Sequence, residues 1–482
     1  MKRPSLLLSL TPVFLLISLI AVAVPIFGDD ITAGPAQIAL LSAAILGALF
    51  SIFLLKISWE KLEKCMMEHL SNTGPAIFIL LMIGALTGSW MISGIVPAMI
   101  YYGLKIISPG IFLFTIFILA SIASMVTGSS WTTVGTVGLA MFAAGKILGI
   151  PAPWLAGAII SGAYFGDKMS PLSDTTNLAS SVAGVDLYTH IKYMTITVVP
   201  AYILAGLIYI IAGFFLVKGG NVDISQQCID LKNTFNISPL LLLVPCITGY
   251  MIFKKISPFI CLFLSAVMGI IVAVLFQPQI ISQISIDEMS HSVGYIYASF
   301  KIIASDCTIV TGNDMLDVLC KTRGMAGMID TVWLILCVVA FGGIMEGSGM
   351  IGRITEAMLS RIKSTFGLIG STILSCIFCN IALSDQYMAV LLPGKMFAKA
   401  YKEKGYAPEV LSRTLEDSGA LTSVLVPWNT CGVVQSRVLG ISTLSYLPYC
   451  FFNLLSPIVS LAIAAIGYKI RRVKNDLAVA KE

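Results

Sequence analysis

Apolar residues in this chain run on for about the length of a bilayer crossing, give way to a short polar stretch, and start again. "LLLSLTPVFLLISLIAVAVPIF" (6 to 27), "AQIALLSAAILGALFSIFLLKI" (36 to 57), "PAYILAGLIYIIAGFFLV" (200 to 217) and "FICLFLSAVMGIIVAVLF" (259 to 276) each approach the ~20 residues that cross a hydrocarbon core. Backbone groups in lipid must pair within their own segment, so these runs predict helices. At the usual span length the chain predicts about 10 to 12 crossings. The expected fold class is an all-α polytopic membrane protein.

Composition and charge then narrow the picture. The chain is 57% hydrophobic and 11% charged, well under the ~25% charged residues of a soluble domain. Its net charge of +5 calls for no nucleic-acid partner, because the basic residues fall between the apolar runs. Lys2 and Arg3 precede the first run, Asp29 and Asp30 follow it, "KISWEKLEK" (56 to 64) follows the second, and "YKIRRVK" (468 to 474) lies near the end. The inside-positive bias therefore places both termini in the cytoplasm. The first run is longer than a signal-peptide core and another span follows at once, so it reads as a retained helix. Of eleven cysteines, most, such as Cys246, Cys261, Cys337 and Cys376, sit in apolar runs and act as small hydrophobes. Cys376 and Cys379 form a CxxC with neither a second pair nor a histidine at zinc spacing.

The polar breaks recur in order. "GALTGSWMIS" (84 to 93) resembles "GIMEGSGMIG" (343 to 352) at an offset of 343 minus 84, or 259. "TGSSWTTVGTVG" (127 to 138) is echoed by "LSDQYMAVLLPG" (383 to 394), and "GAYFGDKMSPLSDTTNLASS" (162 to 181) by "TLEDSGALTSVLVPWNTCG" (414 to 432), with Asp417 opposite Asp167. Two structural repeats are expected, with broken or re-entrant helices meeting at a midplane site. The boundaries read as 1–73 for N-terminal helices and a cytoplasmic amphipathic segment, 74–218 for a first transmembrane repeat, and 219–320 for connecting helices and a loop. A second repeat at 321–470 and a tail at 471–482 complete the chain. Lys105 and Arg361, at an offset of 256, favour parallel halves. The polar stretch 277 to 330 reads as a loop with short amphipathic helices, and 395 to 413 as a basic helix and turn.

Pro171 and Pro427 lack an N–H and disfavour helix at the residue before, so each repeat should break there, with a new helix starting near Ser173 or Asp174 in the first. A carboxylate at bilayer depth costs about 2.5 to 3.5 kcal/mol on insertion scales, and is kept for a partner or a task. Asp174, Asn177 and Ser181 fall on one helical stripe, and oxygen ligands around a single negative charge suit a small monovalent cation. Na+ is expected at Asp174, Asn177 and Asp385. Asp167, Thr127, Ser129, Ser130, Thr176, Ser384 with Gln386, Asn429, Glu346 and Asp417 are the further candidates. A desolvated carboxyl also binds protons near neutrality. Protons and the ion then compete for one site, which couples opposite fluxes when the empty charged site cannot reorient.

Other polar residues carry plainer expectations. Lys168 either neutralises Asp167 or snorkels to the interface. Glu346 is expected to be functional, since Thr87 holds the matching place. Glu416 and Asp417 are expected partly in a water-facing helix end, and His69, His190 and His291 in solvated or interfacial positions near span ends.

Taken together, "TGSSWTTVGTVG", "GAYFGDKMSPLSDTTNLAS", "FGGIMEGSG", "SDQYMAVLLPGKMF" and "LEDSGALTSVLVPWNTCG" resemble the NhaC-type Na+/H+ antiporter family over roughly residues 35 to 465. The resemblance implies a secondary transporter of the bacterial inner membrane, driven by ion gradients and not an enzyme, with no resident cofactor. Its partners would be the lipid bilayer, Na+ and H+. It leaves open a small organic substrate of the malate or lactate type, an amino acid, and a homodimer. An intramembrane aspartyl protease built on Gly166-Asp167 and Asp385 is disfavoured, because Tyr164 stands where such proteases have glycine and the repeat would go unexplained. A passive channel would lack saturable exchange.

Overall fold

The computed structural model describes residues 3–106, 108–216, 225–254, 256–285, 291–309, 317, 320–359 and 364–473. Arg361 and the stretches 286–290 and 310–316 of the polar connector lie outside the described residues. Among the described residues regular structure is helical, and extended pairing is confined to two isolated bridges, Cys307 to Thr322 and Tyr406 to Arg472. Eight helices are long and apolar enough to cross a bilayer, or ten when each of two bent pairs counts as one span.

Packing sorts the helix ends onto two faces. Leu6–Phe27 and Pro35–Leu49 are joined by the turn Gly28–Ala33, and Trp59–Ile92 follows. Leu6 and Trp59 thus mark a first face, Ala33 and Ile92 a second. Ile329–Gly347 runs antiparallel to Trp59–Ile92: Gly84 sits against Met328, and Gly347 against Cys65.

Two helical hairpins dip into the bundle from these opposite faces. In one, Phe112–Thr127 turns at Gly128 and Ser129 and returns through Ser130–Thr133 to Leu139–Ile147, with Gly145 packed on the Phe112 ring. Leu139 and Lys146 share a cavity with Ala33 and Met91, so this hairpin opens to the second face. In the other, Thr365–Ala382 turns at Leu383 to Asp385 and returns as Gln386–Glu403. Its open end is tied by Thr365 Oγ1 to Tyr406 Oη at 2.5 Å, and Val473 N donates to Gly405 O at 3.0 Å, so it opens to the face of the C-terminal residues.

Each hairpin leads into a broken helix. Ala152–Met169 stops before Pro171 and Asp174–Ala183 restarts, as the proline rule predicts. Pro408–Leu415 continues through a π-helical turn, Glu416–Ala420, before the chain breaks around Pro427 and restarts as Thr430–Leu439. Side-chain caps make the restarts. Ser129 Oγ accepts from Thr132 N at 3.2 Å, Ser173 Oγ from Thr176 N at 3.4 Å, Asp385 Oδ1 from Met388 N at 2.9 Å and Asn429 Oδ1 from Cys431 N at 3.0 Å.

The capping positions recur at one spacing. Ser129 and Asp385 lie 256 residues apart, as do Ser173 and Asn429, and the left-handed C-cap glycines Gly184 and Gly440. At that spacing Asp167 faces Ser423 rather than Asp417. The helix ends Ile92 and Gly347 lie 255 apart, four residues short of the 259 read between residues 84 and 343. That is about one helical turn, which keeps small residues on the same face and so escapes notice. The matched hairpins also enter from opposite faces, against the parallel halves expected from Lys105.

Phe112–Thr127 and Ala152–Met169 pack closely along a seam of small residues. A methyl at Gly162 would overlap Phe117 O, one at Gly166 would overlap Ser121 O, and Ser124 Oγ donates to Ala163 O at 2.5 Å. The tips touch as well, Gly128 against Leu172.

Candidate functional site

The hairpin tips and the first break enclose a cavity of about 600 Å³. Its polar lining includes Thr127, Ser129, Ser130, Asp167, Asp174, Asp385 and Gln386, with Asn72, Thr175, Ser257 and Tyr387. Among the described residues no lysine or arginine lines it. Two carboxylates flanking the break at Pro171 and a third from the tip of the second hairpin therefore share one hollow, with no counter-charge among the described residues of its lining. Asp167 and Asp385 are half-buried and Asp174 is exposed. Backbone donors hold the first two: Ser130 N donates to Asp167 Oδ2 at 3.0 Å, and Met388 N to Asp385 Oδ1 at 2.9 Å. Thr127 Oγ1 and Thr133 Oγ1 lie 3.1 Å apart, and Thr132 Oγ1 donates to Ser129 Oγ at 3.1 Å, a bed of hydroxyl oxygens beside Asp167. Anionic and neutral oxygens in this mixture suit a hard monovalent cation or a proton.

Six sequence candidates lie away from this cavity's lining. Asn177 shares the stripe of Asp174 and Ser181, but the stripe is exposed, and its amide donates to Pro171 O at 3.1 Å and Ser173 O at 2.7 Å. Thr176 donates to Lys168 O at 3.1 Å. Ser384, held at φ +57°, is buried, and its carbonyl accepts from Thr430 N at 2.9 Å. Asn429 Nδ2 donates to the Asn380 carbonyl and side-chain oxygens at 3.1 Å. Glu346 Oε2 meets His69 Nε2 at 2.5 Å. Asp417 likewise lies outside the cavity, paired with Lys168.

Three expectations are corrected here. Lys168 neither pairs with Asp167 nor snorkels; it is buried, because neighbouring residues on a helix point to different sides, and Asp417 meets it there. Glu416 and Asp417 are fully buried rather than water-facing, since they lie two turns or about 12 Å into the bundle from Pro408. Around them Thr197 Oγ1 and Ser456 Oγ donate to Asp417 Oδ1 at 3.0 and 3.2 Å, and Arg413 Nε stands 3.8 Å from Asp417 Oδ2. His69 and His190 are buried too, each with a polar partner, His190 Nδ1 lying 2.7 Å from Ser412 Oγ; the side chain of His291 lies outside the described residues. Asn72 and Thr175 were missed in the lining. Asn72 lies in the polar run His69 to Thr73, read as part of a cytoplasmic amphipathic segment, so nothing set it apart.

The profile of the Na+/H+ antiporter family matches residues 162–468. The chain is 34% identical over 433 residues to the Na(+)/H(+) antiporter NhaC of Alkalihalophilus pseudofirmus, covering 90% of each chain. It is 34% identical over 452 residues to the malate-2H(+)/Na(+)-lactate antiporter of Bacillus subtilis, covering 93% of each. Against the arginine/ornithine antiporter ArcD of Halobacterium salinarum it is 32% identical over 472 residues, covering 97% of this chain and 93% of the other. With a cation-suited hollow between broken helices and matches of this length, the chain is a multi-pass transport protein that belongs to the Na+/H+ antiporter family.

Proposed function

We propose that this chain is a secondary antiporter of a bacterial plasma membrane that exchanges Na+ for H+ at the cavity of Asp167, Asp174 and Asp385. The observation that carries the reading is the convergence of three carboxylates on one hollow with no lysine or arginine among the described residues of its lining. Such a group of charges is unstable when empty, and either Na+ or protons relieve it. Two ligands that relieve the same charge exclude one another, and their competition couples the fluxes. Na+ would be held by Asp174 and Asp385, with Asp167 and the hydroxyls of Thr127, Ser129 and Ser130 completing the oxygen shell. Hairpins entering from opposite faces at a fixed spacing of 256 residues support two repeated halves around this site. The first face, which carries the N-terminal helix start and the C-terminal residues, is the cytoplasmic one under the inside-positive bias.

The test uses purified protein in liposomes with a trapped pH dye. Na+ added outside, with no organic solute, evokes saturable proton movement, and Asp174→Asn abolishes it while leaving the protein folded and inserted. Normal exchange in that variant removes Asp174 from the mechanism. A second reading, ion-coupled exchange of a small organic solute, is favoured by a basic cavity on the other face.

A further inference from the structure

That second cavity is also about 600 Å³, and Ala33, Met91 and Ala152 in its lining place it on the second face. Lys146, Lys321, Arg323 and Arg437 line it, with Asp330 the sole carboxylate among the described residues there. Along Trp59–Ile92 the acidic cavity reaches Ile79 and the basic one begins at Thr87, about 12 Å further along the helix. Leu80, Ile83 and Leu86, all buried, fill the gap. The protein thus presents a hollow of one sign to each face.

The inside-positive bias does not account for the basic cluster. It gathers lysine and arginine on one face, and that face is the other one, where Lys61 and Lys64 begin Trp59–Ile92 and Arg471 follows the last span. Internal pairing accounts for only part of it. Arg437 Nε and Nη2 both donate to Gly327 O, and Nη2 also to Asp330 Oδ2 at 3.2 Å. Arg323 is more than half exposed and 3.9 Å from Asp306, a weak surface pair. Four cations against Asp330 and Asp306 leave an excess of two positive charges. The helices Ala152–Met169 and Ile329–Gly347 also start at this cavity, and their N-termini add positive partial charge.

A hollow of this sign and size repels Na+ and concentrates small anions. We infer that the second-face cavity is a binding site for a small organic carboxylate, anchored by Lys321, Arg323 and Lys146 against the fixed Arg437. Its role as cargo site rests on the transport reading above, whereas binding itself does not.

Thermal unfolding of the detergent-purified chain, at matched ionic strength, reads binding of lactate, malate, citrate, arginine and NaCl in turn. At least one carboxylate raises the transition temperature, and Lys321→Gln with Arg323→Gln raises its half-saturating concentration about tenfold or more, as loss of two charge contacts should. The same double variant keeps Na+-evoked proton movement in liposomes. No shift with any carboxylate, a shift with arginine alone, or an unchanged half-saturation in the double variant overturns the site. Carboxylate binding without Na+-evoked proton movement overturns the cation-exchange reading alone and leaves the anion site standing.

Discussion

Lys168→Met, Asp417→Asn and their combination measure what the buried charge pair contributes. Both side chains are at most 1% exposed, so solvent screens neither. Removing one member of a buried pair costs about 3 to 5 kcal/mol, because the other charge is left uncompensated. The surroundings decide where in that range each substitution falls. Without Lys168, Asp417 still has Arg413 at 3.8 Å and accepts from Thr197 and Ser456, which puts the cost at the low end, about 3 kcal/mol. Without the Asp417 charge, Lys168 and Arg413 remain buried beside Glu416, neither of whose oxygens has a hydrogen-bond partner, and the cost is nearer 5 kcal/mol. The double variant removes both charges and should fall short of the summed single costs by about 2 kcal/mol or more. Detergent-denaturant titration of the purified protein, read by tryptophan fluorescence, gives all three values. Singles within about 1 kcal/mol of the parent, or a double variant equal to the sum of the singles, would refute the reasoning.

Two further substitutions test other parts of the fold. Gly166→Ala puts a methyl against Ser121 O and 2.6 Å from Met125 N, and should lower stability in the same titration by about 1 to 3 kcal/mol; an unchanged midpoint would mean the seam is not tight. Asp186 caps the start of Leu187–Leu216 by accepting from Thr189 N at 2.9 Å and Thr189 Oγ1 at 3.1 Å, and these bonds hold its carboxyl below the usual range. A depressed folded value stabilises at pH above the unfolded one and is lost as pH falls through the folded one. Asp186→Ala should therefore unfold earlier than the parent at neutral pH and match it in acid; a gap that persists at low pH would count against the cap.

What sequence reveals about this fold depends on how local the cause is. Pro171 and Pro427 act through their own missing N–H, and both breaks, together with the restart at Ser173 and Asp174, were legible. Register was harder. The 256 spacing was already present in the match of residue 127 to 383 and of Lys105 to Arg361, yet Gly and Ser near residues 84 and 343 align at 259, because a helix shifted by three or four residues presents almost the same face. Asp167, Asp174 and Asp385, which line one cavity, were legible as candidates because a charge in an apolar run stands out wherever it points. Direction was invisible: Lys168 and Asp167 are neighbours in sequence, yet one carboxyl lines the cavity and the ammonium lies behind it with a partner 249 residues away. Of the basic cavity only Arg323 was legible as a candidate for facing an organic anion, for a related reason. Its four cations come from three separate stretches, each ordinary by itself.

The small-residue seam between Phe112–Thr127 and Ala152–Met169 also ties one side of the cavity together. With backbone carbonyls where side chains would otherwise cushion, these two helices form a single chassis, and Asp167 travels with Thr127, Ser129 and Ser130. Asp385 and Gln386 belong to the other hairpin. Any relative movement of the two hairpins would change the gap between Asp167 and Asp385, and the distance between those two carboxylates is the ruler that would report it.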